Sequence, residues 1–178
     1  MSMTVHFNPL RDLRIDPTVV RRALPDEYEP IMMLCRQLHK ENGVFSINEE
    51  KVSRIIQAAL TADKNKQRGI LGVIGHLGRI DGMMLLQISQ YYYSDDWFLE
   101  EMFSFVPPRA RKTNNAKKLL QWAKEMQATL QIPLMIGIVS THRTEAKVRL
   151  YRRMLGTWAG CFFFHGIESK PPDNATEH

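Results

Sequence analysis

"FVPPRARKTNNAKKLL", Phe105 to Leu120, joins a strand-like apolar run to a basic helix through two prolines and two asparagines. The spacing predicts a helix over Asn114 to Leu130. Ala116, Leu119, Leu120, Ala123, Gln127 and Leu130 fall on one face, with Lys117, Lys118, Gln121 and Lys124 opposite or flanking. A strand that runs into a tight turn and then a helix aims several free backbone N–H groups, and the positive end of the helix dipole, at one spot. Such a spot attracts phosphate. Every strand-turn-helix has this property, so the neighbours of the turn must say whether it is used.

Downstream, "PLMIGIVS" (133–140) is an unbroken apolar run of the kind found in a buried strand. "TEAKVRLYRRML" (144–155) reads as a helix with Gly156 just past its end, and "TWAGCFFFHG" (157–166) as a closing strand. Upstream, the period changes to two: "GILGVIG" (69–75), "RIDGMMLLQISQYYY" (79–93) and "DDWFLEEMFSFV" (95–106) read as an antiparallel meander turning at "HLG" and at the acidic Ser94 to Asp96. Before it lie two helices. "SINEEKVSRIIQAAL" (46–60) has Ser46 and Glu49 at capping-box spacing and Val52, Ile55, Ile56, Ala59 and Leu60 as its apolar stripe. Asp26 to Lys40 places Ile31, Leu34, Cys35 and Leu38 on one face, tolerates Pro30 in its first turns, and meets a left-handed stop at Asn42-Gly43. "TVVRRAL" (18–24) is a short strand. The expected fold is α/β: a mixed, mostly antiparallel central sheet of about six to seven strands flanked by about four helices.

The chain of 178 residues, 44% hydrophobic and 24% charged, has the make-up of one globular domain. No internal repeat or Gly/Ser linker divides it, so residues 1–178 are expected as a single domain with an ordered core of about 19–165 and a polar tail at 168–178. No apolar stretch approaches the roughly 20 residues of a membrane helix, and the first residues lack a secretory pattern. A cytoplasmic protein is expected. The two cysteines, Cys35 and Cys161, lie amid apolar neighbours and read as small buried hydrophobes in a reducing compartment. The six histidines show no ligand spacing, so no metal is expected. A net charge of +5 is compatible with an anionic partner. The Arg and Lys of 143–153 are more simply a solvated helix face than a nucleic-acid grip.

"VPPRARKTNNA" follows a VxPxxR-xxGxA pattern, with Val106, Pro108, Arg111 and Ala116 in register, and so resembles motif A of the GNAT N-acyltransferase superfamily. The order of strands and helices resembles that family from about Val19 to His165, and the texture is similar to small GNAT-like proteins of tailed bacteriophages, which would place the chain in a host cytoplasm. The resemblance implies acetyl-CoA as co-substrate, its pyrophosphate cradled by Arg111, Lys112, Thr113, Asn114, Asn115 and Ala116, and its pantetheine arm and the reaction oxyanion held by backbone amides at Phe105 and Val106. Tyr151 matches the tyrosine that protonates the departing sulfur, a role suited to a phenol that stays protonated at neutral pH. The sequence departs from the pattern at Asn114, where the family has glycine, at Thr144 and Lys147, which replace Asn and Ala, and at Gly156, one place late.

Acyl transfer to an amine needs the amine neutral and a proton for the thiolate. Glu100 and Glu101 sit in an apolar strand and must face opposite sides. Glu100 shares parity with Val106 and lies where several family members carry a basic carboxylate, so it is the first choice of base, with water as the alternative. Alternation sets Tyr92 on the other face from Tyr91 and Tyr93, and the resemblance implies that this region lines the acceptor pocket, which makes Tyr92 the candidate. The expected activity is therefore acetyl transfer to a primary amine by direct attack in a ternary complex, by a monomer or homodimer. The alternatives are a catalytically weak module of the same fold that binds nucleic acid or a host protein, and an enzyme that modifies nucleobase amines.

Overall fold

The computed structural model describes residues 15–63, 65, 67–140, 143–156 and 158–160. In chain order these form β1 (Arg21–Arg22), α1 (Tyr28–Asn42), α2 (Glu49–Leu60), β2 (Ile70–His76), β3 (Arg79–Gln90), β4 (Trp97–Phe105), α3 (Asn115–Leu130), β5 (Leu134–Met135) and α4 (Thr144–Leu155). The strands lie side by side in the order β1-β2-β3-β4-β5, antiparallel except for the parallel pair β4–β5. Among the described residues the sheet has five strands rather than six or seven. The expected closing strand falls mainly on residues outside those described; Trp158 to Gly160 are not in a strand. The lead-in before residue 15, Cys161 and the polar tail also lie outside them. No described helix is long and apolar enough to cross a membrane.

Helices cover both faces of the sheet. On one, Ile31, Leu34 and Cys35 of α1 and Ile56, Ala59 and Leu60 of α2 pack on Leu71, Val73, Met83, Leu85 and Phe105. On the other, Leu119, Leu120, Trp122 and Ala123 of α3 pack on Met84, Leu86 and Leu99, joined by Leu150, Tyr151 and Met154 of α4. Each fully buried leucine here is worth about 2 kcal/mol of transfer free energy, and that holds the start of α3 against the sheet. Glycine brings the helix close: a Cβ on Gly72 would lie 2.7 Å from the Trp122 ring, and one on Gly82 would lie 3.2 Å from Leu119. At the sheet's first edge, the buried Glu27 carboxylate accepts from both terminal guanidinium nitrogens of Arg21 at 2.7 Å and from the Leu24 N–H at 3.0 Å.

Local signals differ from expectation in four places. Asn48, not Ser46, caps α2, its side chain accepting from the Lys51 N–H at 2.9 Å. Gly43 ends α1 with φ −65°, not left-handed; glycine is required there by close approach, since a Cβ would meet the His39 carbonyl at 2.5 Å. β3 stops at Gln90, and Tyr92 and Tyr93 form the turn to β4 instead of extending the strand. β5 keeps only two of the eight residues expected, and 136–140 leave the sheet. The cause of that departure lies in β4.

Candidate active site

β4 carries an extra residue. Leu85 of β3 faces Phe103 while Leu86 faces Glu101, so Met102 bulges out unpaired. A bulge bends its strand and inverts the alternation beyond it. β4 and β5 pair only at Leu99–Leu134 and Glu100–Met135, with a further bond from the Leu99 N–H to the Pro133 carbonyl at 2.7 Å. Past that point no backbone hydrogen bond joins 101–106 to 136–140 among the described residues. The two strands diverge into a cleft with the end of β4 as one wall.

The bulge also decides which glutamate faces it. Glu101 pairs with Leu86 and Ser104 with Met84, so both lie on the α3–α4 face of the sheet. Glu100 pairs with Gln87, on the opposite face, and accepts the Ser89 hydroxyl at 3.0 Å. The parity that assigned Glu100 to the Val106 face fails because one residue is inserted between them. On the cleft side, the Tyr151 hydroxyl of α4 shares a hydrogen bond with Ser104, 3.2 Å between oxygens. Burial, and secondarily the Glu101 carboxylate, push the Tyr151 phenol up. Burial likewise raises the Glu101 carboxyl to about 7, with Ser104 and the Lys147 ammonium pulling it back down. Glu101 Oε2 is buried with no hydrogen-bond partner among the described residues. A carboxyl of this kind exchanges protons near neutrality.

At the mouth of the cleft, two adjacent residues of α1 hold its two sides. Glu41 receives the Arg111 guanidinium on both carboxylate oxygens. Asn42 Oδ1 accepts the Ser140 hydroxyl at 2.7 Å and the Lys147 ammonium at 3.4 Å, while Lys147 also donates to Ser140 at 2.5 Å. Burial lowers the Lys147 pKa, opposed chiefly by Glu41. The sequence reading did not assign Glu41, Asn42, Ser104, Ser140 or Lys147 to a site.

The turn before α3 is open to an anion. The N–H groups of Lys112, Asn114, Ala116 and Lys117 have no hydrogen-bond acceptor among the described residues, and the 16-residue α3 begins directly behind them. Asn114 has φ −94°, a conformation open to any residue, so the missing glycine imposes no backbone strain. Its exposed side chain makes no capping bond. Asn115 is a buried structural residue whose amide donates to the Asp81 carbonyl at 3.2 Å. Thr113 braces the turn through the Ala110 carbonyl at 2.6 Å. Arg111 donates to the Val106 carbonyl at 3.1 Å and lies 5.8 Å from the buried Phe105 ring. Phe105 itself faces the α1–α2 core, not the cleft. Tyr92 is 90% exposed at the β3–β4 turn, its ring tilted 39° against that of Tyr91 at 5.1 Å, and joins none of these groups.

No protein-family model and no curated protein matches the sequence. Likeness is found among solved structures. A possible acetyltransferase from Clostridium difficile 630 superposes with a TM-score of 0.62 at 15% identity, covering 82% of this chain and 95% of that one. A predicted acetyltransferase with acetyl-CoA from Clostridium acetobutylicum gives 0.63 at 10% identity over 82% and 93%. The chain has the GNAT fold. An aminoglycoside N-acetyltransferase in complex with CoA shares it at 0.59 and 16% identity, over 82% and 91%. At such identities what is common to these chains is the fold.

Proposed function

We propose that the protein is an acetyl-CoA-dependent N-acetyltransferase that modifies a primary amine by direct attack in a ternary complex. The observation that carries this reading is the half-buried pair of Glu101 and Tyr151 on one face of the diverging β4, with a carboxyl poised near neutrality and a phenol kept protonated. Likeness in fold to structures holding acetyl-CoA or CoA supports it.

The residues present fit acetyl-CoA. Lys112, Asn114, Ala116 and Lys117 would offer four N–H groups and the α3 dipole to the pyrophosphate, and exposed Lys112 and Lys117 would add positive charge. The unpaired edge of β4 would line the pantetheine arm. The thioester supplies an activated acyl group; the chain supplies the proton transfers. Glu101, ionised above about pH 7, takes the proton of the incoming ammonium, and its burial makes it basic enough to do so at physiological pH. Tyr151, held in place by Ser104, donates its proton to the leaving sulfur. The same face excludes water with Leu86, Leu99 and Leu150.

Calorimetric titration with acetyl-CoA and with desulfo-CoA tests the reading. Binding of both in the micromolar range is expected, and absence of binding for both overturns it.

A further inference from the structure

The cleft contains an amine of its own. Lys147 stands one helical turn before Tyr151 on α4, so both side chains leave the helix on the same face. Its ammonium is gathered inward, bonded to Ser140 at 2.5 Å and Asn42 at 3.4 Å, and it interacts with Glu101 from β4, Glu41 from α1, Arg111 from the phosphate turn and Arg143 from the start of α4. The two arginines and the loss of solvent favour the neutral amine, while the two glutamates favour the ammonium. The exposed lysines of the phosphate turn, Lys112 and Lys117, have no such setting.

We infer that Lys147 is itself an acceptor, acetylated on Nζ within the chain's own site. The step rests on the acetyltransferase reading above and uses acetyl-CoA as its only co-reactant. One ammonium proton passes to the Glu101 carboxylate, the neutral Nζ bonds to the acyl carbon as the carbon–sulfur bond breaks, the thiolate takes a proton from Tyr151, and the second proton released from Nζ restores the Tyr151 phenol. The product is an uncharged amide. It can still donate one N–H to Ser140 or Asn42, but it removes the cation that holds Glu101 down, so the modified enzyme carries a more basic carboxylate.

The experiment incubates the full chain with acetyl-CoA and no other amine, and follows acetylation of each lysine by peptide mass mapping over time. Lys147 is expected to acetylate at least roughly tenfold faster than exposed Lys112 and Lys117, and Glu101→Gln to remove that advantage without altering the exposed sites. If acetyl-CoA binds by calorimetry yet Lys147 stays unmodified, or is modified no faster than Lys112, the inference is wrong and the acetyltransferase reading stands. An advantage that survives in Glu101→Gln likewise overturns it, as chemistry independent of the site. If acetyl-CoA does not bind, both readings fall together. Because the comparison among lysines is made in the unaltered chain, it holds even where a variant folds poorly.

Discussion

Replacing Glu101 by glutamine keeps the shape of the side chain and removes its titration. In the folded chain this carboxyl is held at about 7 against an ordinary 4.5. A carboxyl with a raised folded value binds its proton more tightly in the native state than in the unfolded one. Its contribution to stability is therefore complete below the unfolded value and is lost as pH rises through about 7. The difference between the two values corresponds to about 3 kcal/mol. Urea unfolding of both proteins across a pH series reads this directly. Below about pH 4 the two should be about equally stable, and by about pH 9 the glutamine variant should be the more stable by about 3 kcal/mol. The same substitution should lower turnover roughly a hundredfold, so stability and activity would move in opposite directions. A stability difference that stays flat across the series would refute the burial assigned to Glu101, and with it the reason for choosing this carboxylate as base.

Tyr151→Phe should lower kcat roughly a hundredfold with KM little changed, because the phenol is needed only when the sulfur departs; steady-state kinetics on an amine panel would show it. Glu27→Ala, which strands the Arg21 guanidinium beneath α1, should cost roughly 3 to 5 kcal/mol of stability in urea unfolding. Gly72→Ala drives a methyl group into the Trp122 ring and should cost about 1 to 3 kcal/mol, read as a lower thermal midpoint together with altered tryptophan fluorescence.

The helices and the meander were legible in the sequence because their periods are local. Leu119, Leu120 and Ala123 announce α3, and the alternation of β2 to β4 survives translation into a sheet. The turn between β4 and α3 was legible for the same reason, a short spacing between Val106 and Ala116. What escaped reading depends on distant contacts or on an inserted residue with no signature. Met102 bulges without glycine or proline to mark it, yet it exchanges the faces of Glu100 and Glu101. Asn114 stands where the family has glycine, but the turn is built with φ −94° there and needs no left-handed freedom. Trp122 breaks the expected stripe of α3 and is buried because Gly72, fifty residues away, leaves room for its ring. The link from Lys147 to Asn42 spans 105 positions and that from Ser140 to Asn42 spans 98, beyond the reach of any local pattern. The extended reading of 133–140 failed because an apolar run reports neither burial nor pairing by itself: β5 loses its partner where β4 bends, and Met135 and Val139 are left exposed.

The claim at the centre of this account is that the cleft-facing carboxylate is Glu101 and that the bulge at Met102 puts it there. The pH dependence of kcat/KM, taken with the best amine of a panel for the unaltered chain, Glu100→Gln and Glu101→Gln, tests it most directly. A limb rising through about pH 7 in the unaltered chain and in Glu100→Gln, and missing from Glu101→Gln, is the expected result. A limb that disappears in Glu100→Gln and persists in Glu101→Gln would contradict the account.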